Sequence, residues 1–216
     1  MIGRSLDKPV FWSFCDHENY FNWINFLSRV KEPKIVVCDG QRGMLAAIRE
    51  VWPEVRIQRC LVHIKRLVRI RLGQNPESKT GIEIKYLVDN LLKVKTRHQK
   101  RRWLRQYFKW LKRNRLFIDQ KSKGINPKTG KNSWWYTHRN IRSVKSLLNN
   151  AKSNLFTFIG HYHEIPRTSN CIEGGTNSRL KELIHRHRGL SIQQKKTLTT
   201  VYLSQKNNKK PPRNVP

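Results

Sequence analysis

The chain has 216 residues, of which 45 are Lys or Arg and 14 are Asp or Glu, giving a formal net charge of +31. A hydrophobic content of 37% with 10% aromatic residues argues against an intrinsically disordered chain. No apolar run is long enough to span a bilayer, and we see no secretory signal or lipidation motif, so we expect no membrane partner. The unbalanced positive charge instead predicts binding to nucleic acid.

The four cysteines, Cys15, Cys38, Cys60 and Cys171, are scattered through apolar or helical contexts. This distribution is typical of reduced thiols rather than of a disulfide framework, so we expect a cytoplasmic protein. Composition alone does not distinguish a basic binding protein from a nuclease or a recombinase.

The first 70 residues predict alternating strands and helices. An aromatic, β-prone segment over Lys8–Cys15 predicts a strand, and the helix after it has Tyr20, Trp23, Ile24 and Leu27 on one face. The remaining elements, in order, are a strand over 35–38, a helix over 44–52, a short strand around 55–57 and a basic helix that passes through 60–63. This order is typical of an α/β fold with a mixed or parallel sheet covered by helices.

Asp39 stands at the end of the strand Ile35–Cys38, within an Asp-Gly pair. The end of a strand is where an α/β sheet presents its ligand-binding residues. An Asp-Gly pair is also a strong hairpin signal. However, the segment that follows has Leu45, Ile48 and Trp52 at helical spacing. We therefore predict a strand, a tight turn and a helix, with Asp39 either as a ligand or as a capping residue.

Residues 73–165 predict an all-helical insertion. Two amphipathic helices are indicated, one by Ile84, Leu87, Val88, Leu91 and Leu92 and the other by Trp103, Leu104, Tyr107, Phe108 and Leu111. A third helix passes through 141–148, and the polar segment 117–133, which contains Gly and Pro, predicts a loop. Trp134 and Trp135 would be able to stack on a base, but we predict that they belong to the core.

This pattern divides the chain into four parts. Residues 1–72 form the first part of the core, 73–165 the helical insertion, 166–204 the return to the core, and 205–216 a disordered basic tail.

A second acidic candidate, Glu173, precedes two glycines at the predicted start of a helix. Glycine within a helix costs about 1 kcal/mol relative to alanine, so two glycines there indicate close approach by DNA or a metal-bound phosphate. The alternative is a capping box, with Asn170 as the N-cap and Glu173 three residues later. Together, Asp39 and Glu173 would suit a divalent metal ion of the kind that catalyses phosphoryl transfer on DNA.

Three motifs follow one another along the chain: the Asp-Gly of VVCDGQRG, the Gln-Arg-Cys-x-x-His of QRCLVH, and the Thr-Ser-Asn-x-x-Glu-Gly of TSNCIEGG with HRHRG after it. In this order they resemble the transposases of mutator-type bacterial insertion sequences, and the resemblance covers most of the chain. It implies a ribonuclease-H-like catalytic core, interrupted by an all-helical insertion between the second Asp and the Glu of an Asp-Asp-Glu triad.

The resemblance also implies the chemistry. Asp39 and Glu173 would be the second and third members of the triad, which would bind Mg²⁺ or Mn²⁺. The reaction would be hydrolytic nicking at the element ends, then attack of the freed 3′ hydroxyl on target DNA, in a homo-oligomeric complex. The family's first Asp would precede Met1, since neither Asp7 nor Asp16 stands at its position. We therefore expect a truncated copy that lacks most of the activity.

Cys60 and His63 form a Cys-x-x-His pair, which is a weak zinc signal that His185 and His187 would have to complete. Because the family that the sequence resembles carries the same pair, we favour a role for Cys60 and His63 in shaping the site. We expect Asn170 to contribute to this shaping as well.

Two basic groups are candidates for contact with DNA. A helix face that carries many cations and no acid repels itself, so phosphate contact is favoured over a merely solvated surface. The candidates are Arg101, Arg102, Arg105, Lys109 and Lys112 in the insertion, and Lys181, His185, Arg186 and Arg188 near the Glu173 helix.

The first hypothesis is therefore a metal-dependent DNA transposase in the cytoplasm, associated with the nucleoid through DNA. The alternative is a non-catalytic remnant that binds nucleic acid through its basic surface, and a third hypothesis is an RNA-binding protein. Only the enzyme should need Mg²⁺ and lose activity when Asp39 or Glu173 is replaced.

Overall fold

The computed structural model describes residues 1–4, 9–125, 128–160, 165–169 and 171–208. The protein is mixed α/β and mostly helical. Its strands are β1 Ile2–Arg4, β2 Pro9–Trp12, β3 Ile35–Cys38, β4 Arg56–Arg59, β5 Lys121–Ile125 and β6 Asn132–Tyr136. Its α-helices are α1 Tyr20–Leu27, α2 Arg42–Val51, α3 Leu61–Leu72, α4 Lys79–Asp89, α5 Arg97–Arg113, α6 Arg115–Asp119, α7 Arg139–Ala151, α8 Ser178–Arg186 and α9 Ile192–Asn208. A π-helical segment, Cys171–Asn177, leads into α8.

The described strands form three separate pairs, β1 with β2, β3 with β4 and β5 with β6. The α/β class is confirmed, but the expected sheet that joins the strands of the first 70 residues is not formed by the described residues. A hydrophobic pattern identifies a strand without identifying its partner, because pairing depends on register between distant segments.

The pair β3 and β4 runs parallel. The amide of Arg56 donates to the carbonyl of Lys34, and the amide of Cys60 donates to the carbonyl of Cys38. Both bonds join residues with the same separation along the chain, which is the register of parallel strands. Because α2 lies between them in sequence, β3, α2 and β4 form a strand–helix–strand unit. The predicted strand, turn and helix around Asp39 are confirmed.

The chain divides into two compact units. The first comprises residues 1–36, 40–56 and 169–216. Within this unit α1 packs against α2. The lack of a side chain on Gly43 lets the backbone of Tyr20 approach closely, since a Cβ on Gly43 would lie 3.1 Å from the Tyr20 amide nitrogen. The buried indole of Trp23 donates to Gln41 Oε1 over 3.1 Å. This bond ties α1 to the residue that precedes α2.

The second unit comprises residues 37–39 and 57–168 and contains the larger core. In it α3 packs against α4 and α7, α4 packs against α5, and α6 packs against both α5 and α7. Apolar residues at helical spacing build this core, as predicted, and they include Ile84, Leu87, Val88, Leu91, Ile141, Val144 and Leu148.

Three aromatic anchors at helical spacing, Trp103, Tyr107 and Trp110, hold α5 on this core. The indoles of Trp103 and Trp110 donate to the carbonyls of Leu87 and Thr80, over 2.9 and 3.2 Å. The predicted buried face was therefore partly wrong. Phe108 remains 49% exposed, because the inner face is rotated toward Trp110.

The predicted polar loop over 117–133 is wrong, since it contains most of an antiparallel hairpin, and the insertion is therefore not all-helical. In this hairpin Lys121 pairs with Tyr136 and Ile125 with Asn132. Gly124 allows the pairing, because a Cβ there would lie 2.8 Å from the indole of Trp135. The segment has too few apolar residues to show the two-residue alternation that identifies a strand.

The C-terminal helix α9 extends through Asn208, four residues into the segment predicted to be a disordered tail, and residues 209–216 lie outside the described ranges. None of the helices in the described ranges is both long enough and apolar enough to cross a membrane.

Candidate carboxylate site and nucleic-acid interface

Asp39 lies directly after β3, at the carboxyl end of the parallel pair, and is partly buried. The next residue, Gly40, has φ of 83°, a left-handed conformation that glycine adopts readily and that allows the tight turn before α2. The sequence placed Asp39 at this strand end correctly. Mg²⁺ in nucleic-acid enzymes is held by one or two carboxylates, with water and phosphate oxygens completing the coordination. Asp39 fits that minimum requirement.

The neighbouring strand places a buried cation beside Asp39. Arg59, the last residue of β4, is only 4% exposed, and its Nη2 donates to the carbonyl of Asp39 over 2.9 Å. Burial lowers the pKa of the Arg59 guanidinium, while the acidic groups of Cys38 and Asp39 partly oppose this shift. Arg59 therefore fixes the backbone that carries the candidate metal ligand.

Arg59 also retains unused hydrogen-bonding capacity. Its Nε is buried and has no acceptor among the residues described. A buried donor without an acceptor is rare and costs about 1–3 kcal/mol. An oxygen from a bound phosphate or from an undescribed side chain would satisfy it.

The residues on either side of Arg59 have structural roles. The fully buried amide of Gln58 donates to the carbonyl of Leu155 over 3.0 Å, and its oxygen accepts from the amide of Phe158 over 3.1 Å. Cys60 is fully buried and precedes α3, with its amide bonded to the carbonyl of Cys38 over 2.8 Å. Cys60 and Asp39 are thus joined through adjacent strands, which agrees with a site-shaping role.

His63 lies in the first turn of α3 and is partly buried. The zinc alternative required Cys60, His63, His185 and His187 to come together. No three His, Cys, Asp or Glu side chains form a metal-binding group within the described ranges, and all four of these residues are described. Cys60 and His63 belong to the second unit, whereas His185 and His187 belong to the first.

Glu173 lies in the π-helical segment before α8. It belongs to the first unit and Asp39 to the second, so their pairing at one metal remains a prediction. Asn170, the alternative capping partner, lies outside the described residues. A Cβ on Gly174 would meet nothing within 4 Å, so no neighbouring part of the described chain requires glycine there.

The five predicted cations of the insertion, Arg101, Arg102, Arg105, Lys109 and Lys112, are all exposed on α5. The helix contains no acidic residue, so it offers these cations no partner of its own. Four of them line a shallow open groove together with Leu104 and Phe108. The ammonium of Lys152 lies 5.7 Å from the centroid of the Phe108 ring, which adds a further cation.

The second predicted group lies on α8 and the turn after it. Lys181, His185, Arg186 and Arg188 are all exposed. Here the charge is partly compensated, because Arg186 forms an ion pair with Glu182 one helical turn earlier. The α5 face is therefore the more strongly cationic of the two helical surfaces.

The model of the Mutator family of transposases matches residues 12–113. This segment is therefore similar to the Mutator family of transposases. The resemblance drawn from the sequence motifs is thereby confirmed. A search of curated proteins gave no significant match.

The matched segment contains Asp39, the Gln58–His63 stretch and the five predicted DNA-contacting cations of α5. Glu173 and the α8 cations lie beyond the matched residues. The similarity to transposases therefore concerns the part of the chain that carries Asp39 and Arg59, and the role of Glu173 remains a prediction.

Two features of this chain do not follow from the sequence pattern. Arg59 lies within the Gln-Arg-Cys-x-x-His motif, but nothing in the local pattern indicates that it binds the Asp39 carbonyl. Trp134, predicted to be buried, is 54% exposed on the hairpin. The lysines near it in the sequence were the one feature that could have indicated an exposed position.

Proposed function

We propose that this protein is a metal-dependent DNA transposase of an insertion sequence, which nicks DNA at the element ends and joins the freed 3′ hydroxyl to target DNA. The observation that carries the proposal is the Mutator-family match over a segment in which Asp39 ends a parallel strand. The parallel β3–β4 pair also supports a ribonuclease-H-like core as part of this proposal.

Asp39 and Glu173 would hold the metal, Mg²⁺ or Mn²⁺. When bound, such an ion supplies electrostatic stabilisation of the attacking and leaving oxygens. Arg59 would keep the Asp39 backbone in place through its bond to the carbonyl. Cys60, His63 and Asn170 would shape the surroundings.

The cations of α5 and α8 would hold the DNA. Each Lys or Arg that neutralises a phosphate releases counterions, so the resulting affinity depends strongly on salt. Phosphate contacts fix the position of the duplex without reading its sequence. We propose further that the active complex is a homo-oligomer on DNA in the nucleoid.

The test is metal-dependent nicking of a supercoiled plasmid that carries the DNA flanking this gene. Asp39→Asn and Glu173→Gln should each abolish nicking and weaken Mn²⁺ binding measured by calorimetry. The matched control is Glu54→Gln, which removes an exposed carboxylate from the turn before β4 and should change neither result. If both variants nick DNA as fast as the wild-type protein, Asp39 and Glu173 are not the metal ligands.

A second candidate function is non-catalytic DNA binding, favoured by α5, which exposes the five predicted cations and contains no acidic residue. In that case the wild-type chain would bind duplex DNA in EDTA as well as in Mg²⁺, without nicking it in either. Tighter binding to RNA of the same sequence would indicate an RNA-binding protein instead.

A further inference from the structure

The β5–β6 hairpin sorts its side chains onto two faces. Residues directly opposite each other in an antiparallel pair share a face. The register therefore places on one face Lys121, Lys123, Ile125, Asn132, Trp134 and Tyr136. The other face carries Gly124 and Trp135, which pack against each other.

The two adjacent tryptophans thus have different roles. Trp135 is partly buried and fills the space above Gly124, whereas Trp134 is 54% exposed. An indole is among the largest apolar side chains. At 54% exposure, much of this apolar surface remains in contact with solvent.

Trp134 is held in place although it is exposed. Its ring meets that of Tyr136 edge-on, with centroids 5.5 Å apart. The guanidinium carbon of Arg142 lies 3.3 Å from the centroid of the Tyr136 ring, so Tyr136 is itself fixed. An aromatic ring held in this way would lose little conformational freedom on binding a flat partner.

The surroundings of Trp134 are cationic. The ammonium of Lys121 lies 4.2 Å from the centroid of the Trp134 ring, and Lys123 is its direct cross-strand neighbour. Between residues 121 and 136 the sequence has four lysines and no acidic residue. Asp119, which precedes the hairpin, is already paired with Arg142 and Lys145.

A held aromatic ring between lysines matches a ligand that combines flat rings with negative charge. Single-stranded nucleic acid has both, since its bases are unpaired and its phosphates are close by. In a duplex the bases are stacked on one another, so a ring on the surface of a ribbon does not reach a base face without distorting the helix. The single strand is therefore the better fit.

We propose that the β5–β6 hairpin binds single-stranded nucleic acid, with an unpaired base stacked on Trp134 and the flanking phosphates on Lys121 and Lys123. This proposal rests on the proposed function for the kind of partner, but on none of its catalytic residues. The hairpin would hold a strand after cleavage or melting, while the α5 cations bind the duplex.

The test compares two fluorescein-labelled probes, a twelve-nucleotide oligo-dT and a duplex of the same length, by anisotropy with the full chain. Trp134→Ala should weaken binding to oligo-dT by about 5- to 150-fold, the range found for loss of one stacked base. It should change duplex binding less than about 2-fold. Trp134→Phe, which keeps a π-face, should restore most of the lost affinity.

The matched control is Tyr86→Ala, because Tyr86 is an aromatic residue on α4 that is 72% exposed. It should leave binding to oligo-dT unchanged. A salt series separates stacking from charge: Trp134→Ala should leave the slope of log K against log salt unchanged. The double variant with Lys121→Gln and Lys123→Gln should reduce the magnitude of this slope by about 1.4, that is, by about 0.7 for each phosphate contacted on a single strand.

Three outcomes would overturn the proposal: equal losses on both probes, no loss on either, or a wild-type chain that does not bind oligo-dT. Circular dichroism confirms that each variant is folded before binding is measured. If duplex binding and nicking persist while Trp134→Ala has no effect, only the hairpin proposal fails. If the wild-type chain binds neither probe, the proposed function fails with it.

Discussion

The α5 face and the β5–β6 hairpin are both cationic surfaces of the second unit, but they are built differently. Helix α5 exposes the five predicted cations, while Trp103, Tyr107 and Trp110 anchor the helix on the core. The hairpin presents one aromatic ring between lysines and is held by cross-strand pairs. Charge alone suits phosphates, whereas a ring with flanking charge suits an exposed base. The two surfaces therefore predict different salt dependence and different preferred strands.

The largest effect should come from replacing the α5 cations Arg101, Arg102, Arg105, Lys109 and Lys112 together by Gln. If each contacts one phosphate, duplex affinity should fall by about 10³- to 10⁴-fold near 0.1 M salt, and the salt slope should decrease by about 4.5. Electrophoretic mobility shifts over a salt series measure both. The charge-preserving variant with Lys at positions 101, 102 and 105 should keep the slope, and a Gln variant that binds like wild type would show that α5 is only a solvated face.

The next effect concerns the anchors beneath that face. Trp110→Ala should lower the free energy of unfolding by about 3–5 kcal/mol, since it leaves a cavity and removes the bond to the Thr80 carbonyl. Urea denaturation measures this change. Phe108→Ala on the same helix is the control. Because Phe108 is half exposed, it should cost less than about 1 kcal/mol, and equal costs would mean that the inner face of α5 is wrongly placed.

A smaller effect is expected in the hairpin. Gly124→Ala puts a Cβ 2.8 Å from the indole of Trp135 and should cost about 1–3 kcal/mol as that ring moves. Binding to oligo-dT should weaken while duplex binding does not. Gly174→Ala, which meets nothing within 4 Å, should stay within about 0.5 kcal/mol of wild type in thermal unfolding. A Gly124→Ala protein as stable as wild type would refute the tight pairing.

The smallest effect should be a pH dependence of the free energy of unfolding that comes from Asp89 on α4, the helix against which α5 packs. Burial acts to raise the pKa of Asp89, but the hydrogen bond and charge of Lys65, with the charge of Lys85, lower it overall. A lowered folded-state pKa means that Asp89 stabilises the fold above the ordinary carboxyl pKa of about 4. This contribution is lost as the pH falls through the folded pKa.

Since Asp89 is about a third exposed, the contribution should be less than about 1 kcal/mol. Urea denaturation of Asp89→Asn between pH 7 and pH 3 should therefore show a slightly lower stability at neutral pH and a weaker loss on acidification. A steeper loss in the variant than in the wild type would contradict the sign.

The sequence by itself determined the features that depend on neighbouring residues. The strand Ile35–Cys38, the turn at Gly40 and the helices α3, α5 and α7 follow from local periodicity and glycine chemistry. The exposure of the α5 cations followed too, because a helix that buries three aromatic residues on one face must present its charges on the other.

Tertiary structure decided the features that depend on distant residues. Lys123 meets Trp134 only because two polar strands pair in one register, and too few apolar side chains mark that register in the sequence. Whether Phe108 or Trp110 faces the core depends on α4, since both fit the helical period. Arg59 contacts the Asp39 carbonyl because β3 and β4 are parallel neighbours across the α2 connection. Local pattern fixes what a segment forms, whereas long-range packing fixes which side chains meet.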